Sequence, residues 1–465
     1  MLLLATLLMA GCKKETELEN NENTETVGHQ NPNPAQDTPL SEHFLPEFES
    51  VYQLHPNQDG SFYALAQGDH TDYLLSLDNN GYVQQRIDLG FRSRRCISNK
   101  GEYVVLLGNI GSVNSAPYEM YMQGCVAVYD KNLNHVASIT IREIDYKVDL
   151  YSVVQDTHSP NVIYVGGLAV DSFYQQYPYL CTIQLSDGIL TLVKSEVYTE
   201  SERCRIVGME EKTYEGQKDL ILETVHYSVL DDPYNYKSCV SHIVKPNYFK
   251  AGFGWGSETW DIAIPGLDGY SYTGNNSIDS DENNIYFFGY CKDVENSTSS
   301  DEVHSGFIAA VDWHQGRLVW TKTIFLEKYF NCFYDGLLSD GYLYACGRHS
   351  GVRFLNTNKS FANGLMVKTN LSGELASYKT FGDPERNSAL YHLVKDSKGN
   401  MVGVGYSGGN LGNDQTKWSG WFLKTDMSST TTQKVLPDAK QDAVADMDAG
   451  SATVPMEDDR HGGGI

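Results

Sequence analysis

This 465-residue chain is rich in carboxylates and short of most other groups that could do chemistry. It holds 60 Asp and Glu against 35 Lys and Arg, with 13 His and nine Cys. Paired carboxylates hydrolyse glycosidic bonds when one is kept protonated and the other ionised. The loop acids placed to do so are Asp171, Asp231, Asp232, Asp268 and Asp383, each in a stretch equally suited to a solvated turn. The histidines form no H-x-x-x-H pair and no Ser-His-Asp order. His314 sits in "WHQG", read as an exposed turn. No C-x-x-C occurs, so zinc and dithiol chemistry are not expected. "DSDENN" (279–284) begins like a calcium loop but lacks the glycine at position six and the acid at position twelve, where Tyr290 stands. A turn leading into a strand is expected there. No metal and no cofactor follow from this inventory.

Aromatic residues are the other chemical resource. Tyrosine is abundant at 31, against 17 Phe and 6 Trp. Many fall in long polar loops: "SVNSAPYEMYMQ", "DSFYQQYPY", "HYSVLDDPYNYKS", "GLDGYSYTGNN" and "SGGNLGNDQTKWSG". Aromatic faces stack on sugar rings or fill anchor pockets at protein interfaces. The contact residues expected on this basis are Tyr118, Tyr121, Tyr174, Tyr177, Tyr234, Tyr236, Tyr270, Tyr272 and Trp418. The competing reading for each is packing against neighbouring loops.

A repeat supplies the elements that must position these loops. A polar turn followed by an apolar strand recurs seven times, from "DGSFYALAQG" (59–68) through "ENNIYFFGY" (282–290) to "KGNMVGVG" (398–405). Aligning Phe62, Tyr103, Ile163, Ile221, Tyr286, Leu343 and Val402 gives spacings of 41, 60, 58, 65, 57 and 59 residues. A strand precedes each turn, as in "LYSVVQD" and "LYHLVKD", and a third strand follows the loop. A closing fourth strand is legible in five copies, among them "YVQQRIDL" and "RLVWTKTI". Four antiparallel strands in each of seven copies predict an all-β, seven-bladed β-propeller. The loops between second and third strands then share a face with the blade-to-blade loops, and function tends to sit on such loops.

"AVDWHQGRLVW" (310–320) resembles the blade-docking motif of quinoprotein-type propellers, with Ala310, Asp312, Gly316 and Trp320 at matching positions. "GLMVKTNLSGE" and "GWFLKTDMS" are similar to short β-propeller repeats of bacterial surface proteins. The resemblance implies a fold, with the Trp packing between blades. It carries no activity, since the adjacent cysteines of quinone-dependent dehydrogenases are missing.

The chain opens with "MLLLATLLMAGC", too short an apolar run to span a bilayer. "LLMAGC" resembles the bacterial lipobox, which implies a signal peptide over 1–11 and a lipid on Cys12. Residues 12–44 are polar and aromatic-poor and read as a disordered tether, 45–436 as the propeller, and 437–465 as a disordered acidic tail. Lysines and then an acidic run directly after Cys12 resemble a surface-export tag, so the expected location is the outer membrane, facing outward. With Cys12 lipidated, the other eight cysteines permit disulfides or buried thiols. The net charge of −25 leaves no footprint for nucleic acid. A monomer is expected that meets the membrane only through its lipid.

The expected function is a non-enzymatic binding module for a glycan or a protein. The alternatives are a polysaccharide hydrolase or lyase and a structural subunit of an envelope complex. Clustered carboxylates or a His-Tyr-Arg group at the channel mouth would favour an enzyme. An uncharged aromatic shelf would favour glycan binding, and a flat apolar patch a protein partner.

Overall fold

The computed structural model describes residues 39–68, 71–98, 102–110, 123–173, 175–199, 204–214, 217–227, 239–245, 260–263, 278–293, 303–324, 326, 330–350, 362–382, 386–408 and 418–427. Within these it is all-β, with 28 strands in seven four-stranded antiparallel sheets. No described helix is long and apolar enough to cross a membrane.

The first described strand, β1 (Ser41–Leu45), belongs to the last blade. Blade 1 is β2 (Ser50–Pro56), β3 (Phe62–Gln67), β4 (Asp72–Leu77) and β5 (Val83–Asp88). Blade 2 is β6 (Arg92–Ser98), β7 (Tyr103–Ile110), β8 (Gln123–Asp130) and β9 (His135–Thr140). Blade 3 is β10 (Lys147–Gln155), β11 (Val162–Val170), β12 (Gln176–Ser186) and β13 (Ile189–Val197). Blade 4 is β14 (Cys204–Tyr214), β15 (Gln217–Tyr227), β16 (Cys239–Lys245) and β17 (Trp260–Ala263). Blade 5 is β18 (Ile278–Ser280), β19 (Asn284–Asp293), β20 (Val303–Asp312) and β21 (Arg317–Ile324). Blade 6 is β22 (Phe330–Ser339), β23 (Tyr342–Ser350), β24 (Asn363–Asn370) and β25 (Leu375–Phe381). Blade 7 is β26 (Asn387–Lys395), β27 (Met401–Gly408) and β28 (Ser419–Thr425), with β1 as its outer strand. The seven aligned repeat residues all lie on second strands.

The first strand of each blade touches the first strand of the next, and β26 touches β2, so the first strands form a closed inner ring. Hydrophobic packing follows the same logic. One cluster joins Val105 and Val126 of blade 2 to Ile163 and Tyr179 of blade 3. Others bridge blades 7 and 1, 1 and 2, 4 and 5, 5 and 6, 6 and 7, and 3 and 4. Each blade buries its apolar faces only against its neighbours, as stacked repeats must.

Glycine lets the blades approach closely. A Cβ on Gly306 of β20 would meet the Phe333 ring of blade 6 at 2.3 Å, and one on Gly336 of β22 would meet the Phe288 ring of blade 5 at 2.3 Å. Two aromatic rings thus cross one interface in opposite directions, each resting on the other blade's glycine.

The boundary expected at residue 45 lies too far along the chain. Strand β1 begins at Ser41 and pairs from Ser41↔Lys424 to Leu45↔Gly420. "SEHFL" is short and polar because an outer strand needs only one covered face, so its pattern reads like tether. It also supplies the closing strand that the last repeat copy lacks.

Candidate functional site

Of the nine aromatic residues expected to make contacts, Tyr118, Tyr121, Tyr174, Tyr234, Tyr236, Tyr270 and Tyr272 lie outside the described residues. Tyr177 is 8% exposed, packs edge-on against Tyr146, and donates to Asp171 Oδ2 at 3.3 Å. Asp171 is itself held in a turn, accepting the amides of Phe173 and Gln175. Asp231, Asp232, Asp268 and Asp383 lie outside the described residues, as does Cys12.

Trp418, in contrast, is 43% exposed and stands just ahead of β28. It ends a continuous aromatic path. Its ring lies 4.8 Å from Tyr406, Tyr406 lies 5.3 Å from Tyr391, and Tyr391 lies 5.6 Å from Tyr334. Tyr334 lies 6.3 Å from Tyr290, so the path runs from blade 5 across blade 6 to blade 7.

Two backbone devices build this path. The first is a one-residue bulge in the inner strand. The pairing of β22 skips Tyr334 and that of β26 skips Tyr391. Skips at Tyr52 in β2 and Tyr151 in β10 show the same device in blades 1 and 3. A bulge re-aims the side chain of its extra residue. The second device is a shared register in the second strand. Tyr290, Arg348 and Tyr406 pair with Gly306, Gly364 and Gly420 of their third strands, so they hold equivalent positions in three consecutive blades.

Arg348 therefore stands between two tyrosines in the ring order. Its positive charge acts on the hydroxyls of both Tyr334 and Tyr406. Burial nevertheless pushes both phenols above the usual tyrosine range, Tyr334 strongly. Neighbouring His349 is turned away and buried, with Nδ1 2.5 Å from Asn331 Oδ1, and burial lowers its pKa to about 4.

A polar belt follows the bulges on the inner strands. Gln53, Ser152, Asp335 and His392 each come one residue after a bulged tyrosine. Asp335 accepts the amide of Leu393 in the next blade at 2.8 Å, and burial pushes its pKa well up, helped by the charges of Asp279 and Glu223. Asp279 accepts the amide of Leu338 at 2.6 Å, again across a blade boundary. These acids tie inner strands together.

The docking-motif residues occupy a hairpin. Ala310 pairs with Trp320, and Asp312 Oδ1 accepts the amides of His314 and Gln315. Gly316 has φ +63° and donates to the Asp312 carbonyl at 2.9 Å. A Cβ on Gly373, in the β24–β25 turn of blade 6, would come within 2.8 Å of the Trp320 ring, so the indole lies against the next blade. His314 is exposed, as expected. In "DSDENN", Asp281 Oδ1 accepts the amides of Asn283 and Asn284, and Oδ2 accepts from Tyr286. Asp156, His158 and Glu211 bring ligand-type atoms within 4.8 Å of one another. The ammonium of Lys218 already occupies Asp156 there. Cys125, Cys181 and Cys346 are buried thiols outside any disulfide.

Sequence reasoning missed Tyr290, Tyr334, Tyr391, Tyr406 and Arg348. A signal existed: tyrosine recurs second in "VYQL", "LYSVV", "FYDGL" and "LYHLV". Only knowledge of the bulge turns that recurrence into a lining residue.

No family model and no curated protein matches this chain. Among solved structures, a streptogramin B lyase aligns at 8% identity over 82% of this chain and 97% of its own, with a TM-score of 0.40. Drosophila Plexin A, solved with Semaphorin 1b, aligns at 11% over 84% and 88%, also with a TM-score of 0.40. The GH93 α-L-arabinofuranosidase of Fusarium graminearum, solved with arabinobiose, aligns at 10% over 69% and 89%, with a TM-score of 0.39.

Proposed function

We propose that this protein is a cell-surface binding module that holds a glycan, without cleaving it, on the aromatic path ending at Trp418. Cys12 is the lipidated anchor in this reading, with the chain held on the outer membrane facing outward. The observation that carries the reading is the chain of rings from Tyr290 to Trp418. The exposed indole of Trp418, held edge-on against Tyr406 at 4.8 Å and backed by the more buried tyrosines behind it, offers a stacking face for a pyranose ring. Trp418 belongs to the β27–β28 connection, on the face shared by the long loops.

A lyase would need a phenol or imidazole that gives up and takes back a proton easily. Burial drives Tyr334 and Tyr406 the other way, and His349 is occupied by Asn331. A hydrolase would need two carboxylates facing the sugar; among the described residues, Asp279 and Asp335 are spent on backbone amides. Among the described residues, both arguments favour binding without turnover.

The test is a glycan array with product analysis, using the chain carrying Cys12→Ser. Retention without product supports the proposal. Product formation, or silence on every glycan, overturns it.

A further inference from the structure

We infer that β1 is a mechanical clasp, loaded lengthwise when a ligand at Trp418 and the anchor at Cys12 are pulled apart. This rests on the binding reading above and adds what the fold does under load. Three observations carry it. The first is which ends of the pair are loaded. Strands β1 and β28 are antiparallel, with Ser41 opposite Lys424 and Leu45 opposite Gly420. Trp418 immediately precedes β28, at the Leu45 end of the pair. The chain from Cys12 enters β1 at the other end, where the Leu40 amide donates to the Lys424 carbonyl at 2.8 Å. The second is the face on which that entry lies. Ser41 Oγ donates to the Asn80 carbonyl and Lys424 Nζ to that of Asn79, both in the β4–β5 turn. This is the face of tight turns, opposite the long loops and Trp418. The third is apolar reinforcement of the seam. Leu45 and Phe48, at the end of β1 and just beyond it, pack with Phe422 of β28 in one buried cluster.

Hydrogen bonds of an antiparallel pair lie across the strands. A force that draws the strands past one another strains all five pairs of this ladder together. A force on adjacent ends opens them one after another. The ligand draws β28 by its first residue, and the anchor draws β1 by its first residue. In an antiparallel pair those residues stand at opposite ends, so the load is lengthwise. It also turns the face of tight turns toward the membrane and the long loops toward the ligand. A ligand held beside Lys424 would instead peel β1 away from its end. The ring is therefore closed by a strand whose direction suits the pull that the anchor and the ligand exert on it.

The experiment is single-molecule force spectroscopy on the full chain carrying Cys12→Ser, with one handle on the N-terminus. The second handle is a p-azidophenylalanine replacing Trp418 in one protein and Asp426, just past β28, in another. Both positions are exposed, and the two labelled proteins should melt at the same temperature. Forced rupture reads a barrier rather than an equilibrium stability. At one loading rate, the first rupture between the N-terminus and position 418 is expected to need severalfold more force than that between the N-terminus and position 426. Equal forces, or a lower force at position 418, overturn the inference. No glycan enters this measurement, so such a result leaves the binding reading standing. Silence on the glycan array overturns the binding reading alone.

Discussion

The indole Nε1 of Trp421 donates to Glu42 Oε1 at 2.9 Å, joining residues 379 positions apart in the chain. Trp421 is fully buried on β28, and Glu42 lies on β1, so this bond and five backbone pairs close the ring of blades. A buried N–H left without its acceptor costs about 1–3 kcal/mol. Glu42→Ala is expected to destabilise the protein by about that amount in urea unfolding, and Glu42→Gln by less, because an acceptor oxygen remains. A chain beginning at residue 46 should melt well below one beginning at 39 and recover when a peptide of residues 39–48 is added. Equal melting of the two chains would show that β1 does not close the ring.

Gly336→Ala tests the interlock between blades 5 and 6. The new methyl would lie 2.3 Å from the buried Phe288 ring, in a layer that also seats Phe333 on Gly306. Overpacking of this kind costs about 1–3 kcal/mol. A shift of the unfolding midpoint in that range is expected. It should shrink in the double variant with Phe288→Leu, which returns the space.

Buried titrating groups of opposite sign shape the pH dependence of stability. Burial and the charge of Glu210 push Asp279 up to about 6, and burial pushes Asp335 the same way. A carboxyl whose folded pKa is raised is stabilised by protonation in the folded state first. Their contribution therefore rises as pH falls from 7 through 6 toward the ordinary carboxyl value of about 4. Asp156 has the opposite sign. Burial raises its pKa, but hydrogen bonds from Lys218, Tyr164 and two amides outweigh that and hold it at about 2. Its contribution is present above about pH 4 and fades as pH falls through 2. Buried His349 and His392, lowered to about 4 and 3, act against this and cost stability as pH falls below about 6.5. The carboxyl contribution is therefore read as a difference: the melting-temperature gap between wild type and Asp279→Asn should shift in favour of the wild type as pH falls from 7 to 5.

Trp418→Ala should weaken glycan retention by about 2 kcal/mol, roughly thirtyfold, as for an exposed aromatic anchor. Because Trp418 is 43% exposed, the melting temperature should barely move. Ligand binding should also perturb tryptophan emission in the wild type, and this change should shrink in the variant.

Burial pushes the Cys125 and Cys181 thiols up to about 12, and Cys346 rises well above the usual range. A thiol kept protonated is a poor nucleophile. Iodoacetamide at pH 8 should leave these three cysteines unmodified in the folded protein and label all three in guanidinium without any reductant. A need for reductant would contradict the free thiols seen here.

The repeat made most of the fold legible, because each second strand is a compact apolar run bounded by a turn. Phe62 and Val402 align by eye for that reason. Strand β1 was illegible because its only partner is β28, and no local pattern reports a pairing 379 residues away. The site was half legible. Trp418 was found as a loop aromatic, which is how exposed contact residues announce themselves. Tyr334 and Tyr391 look like ordinary strand residues, and only a skipped pairing turns them out of the sheet. Arg348 gave no signal, since nothing local marks it as the counterpart of Tyr290 and Tyr406 in the adjacent blades.

The late partner of β1 also sets an order of assembly. Residues 41–45 are made before every other strand described and placed last, since Lys424 must emerge before Ser41 can pair with it. At about 5–20 residues per second, the 379 residues between Glu42 and Trp421 take roughly 20–80 s to synthesise. For that time β1 is an unsatisfied strand edge, because the blade it completes has not yet been made. The nascent protein must be kept from pairing with another copy of itself until its own last strand arrives.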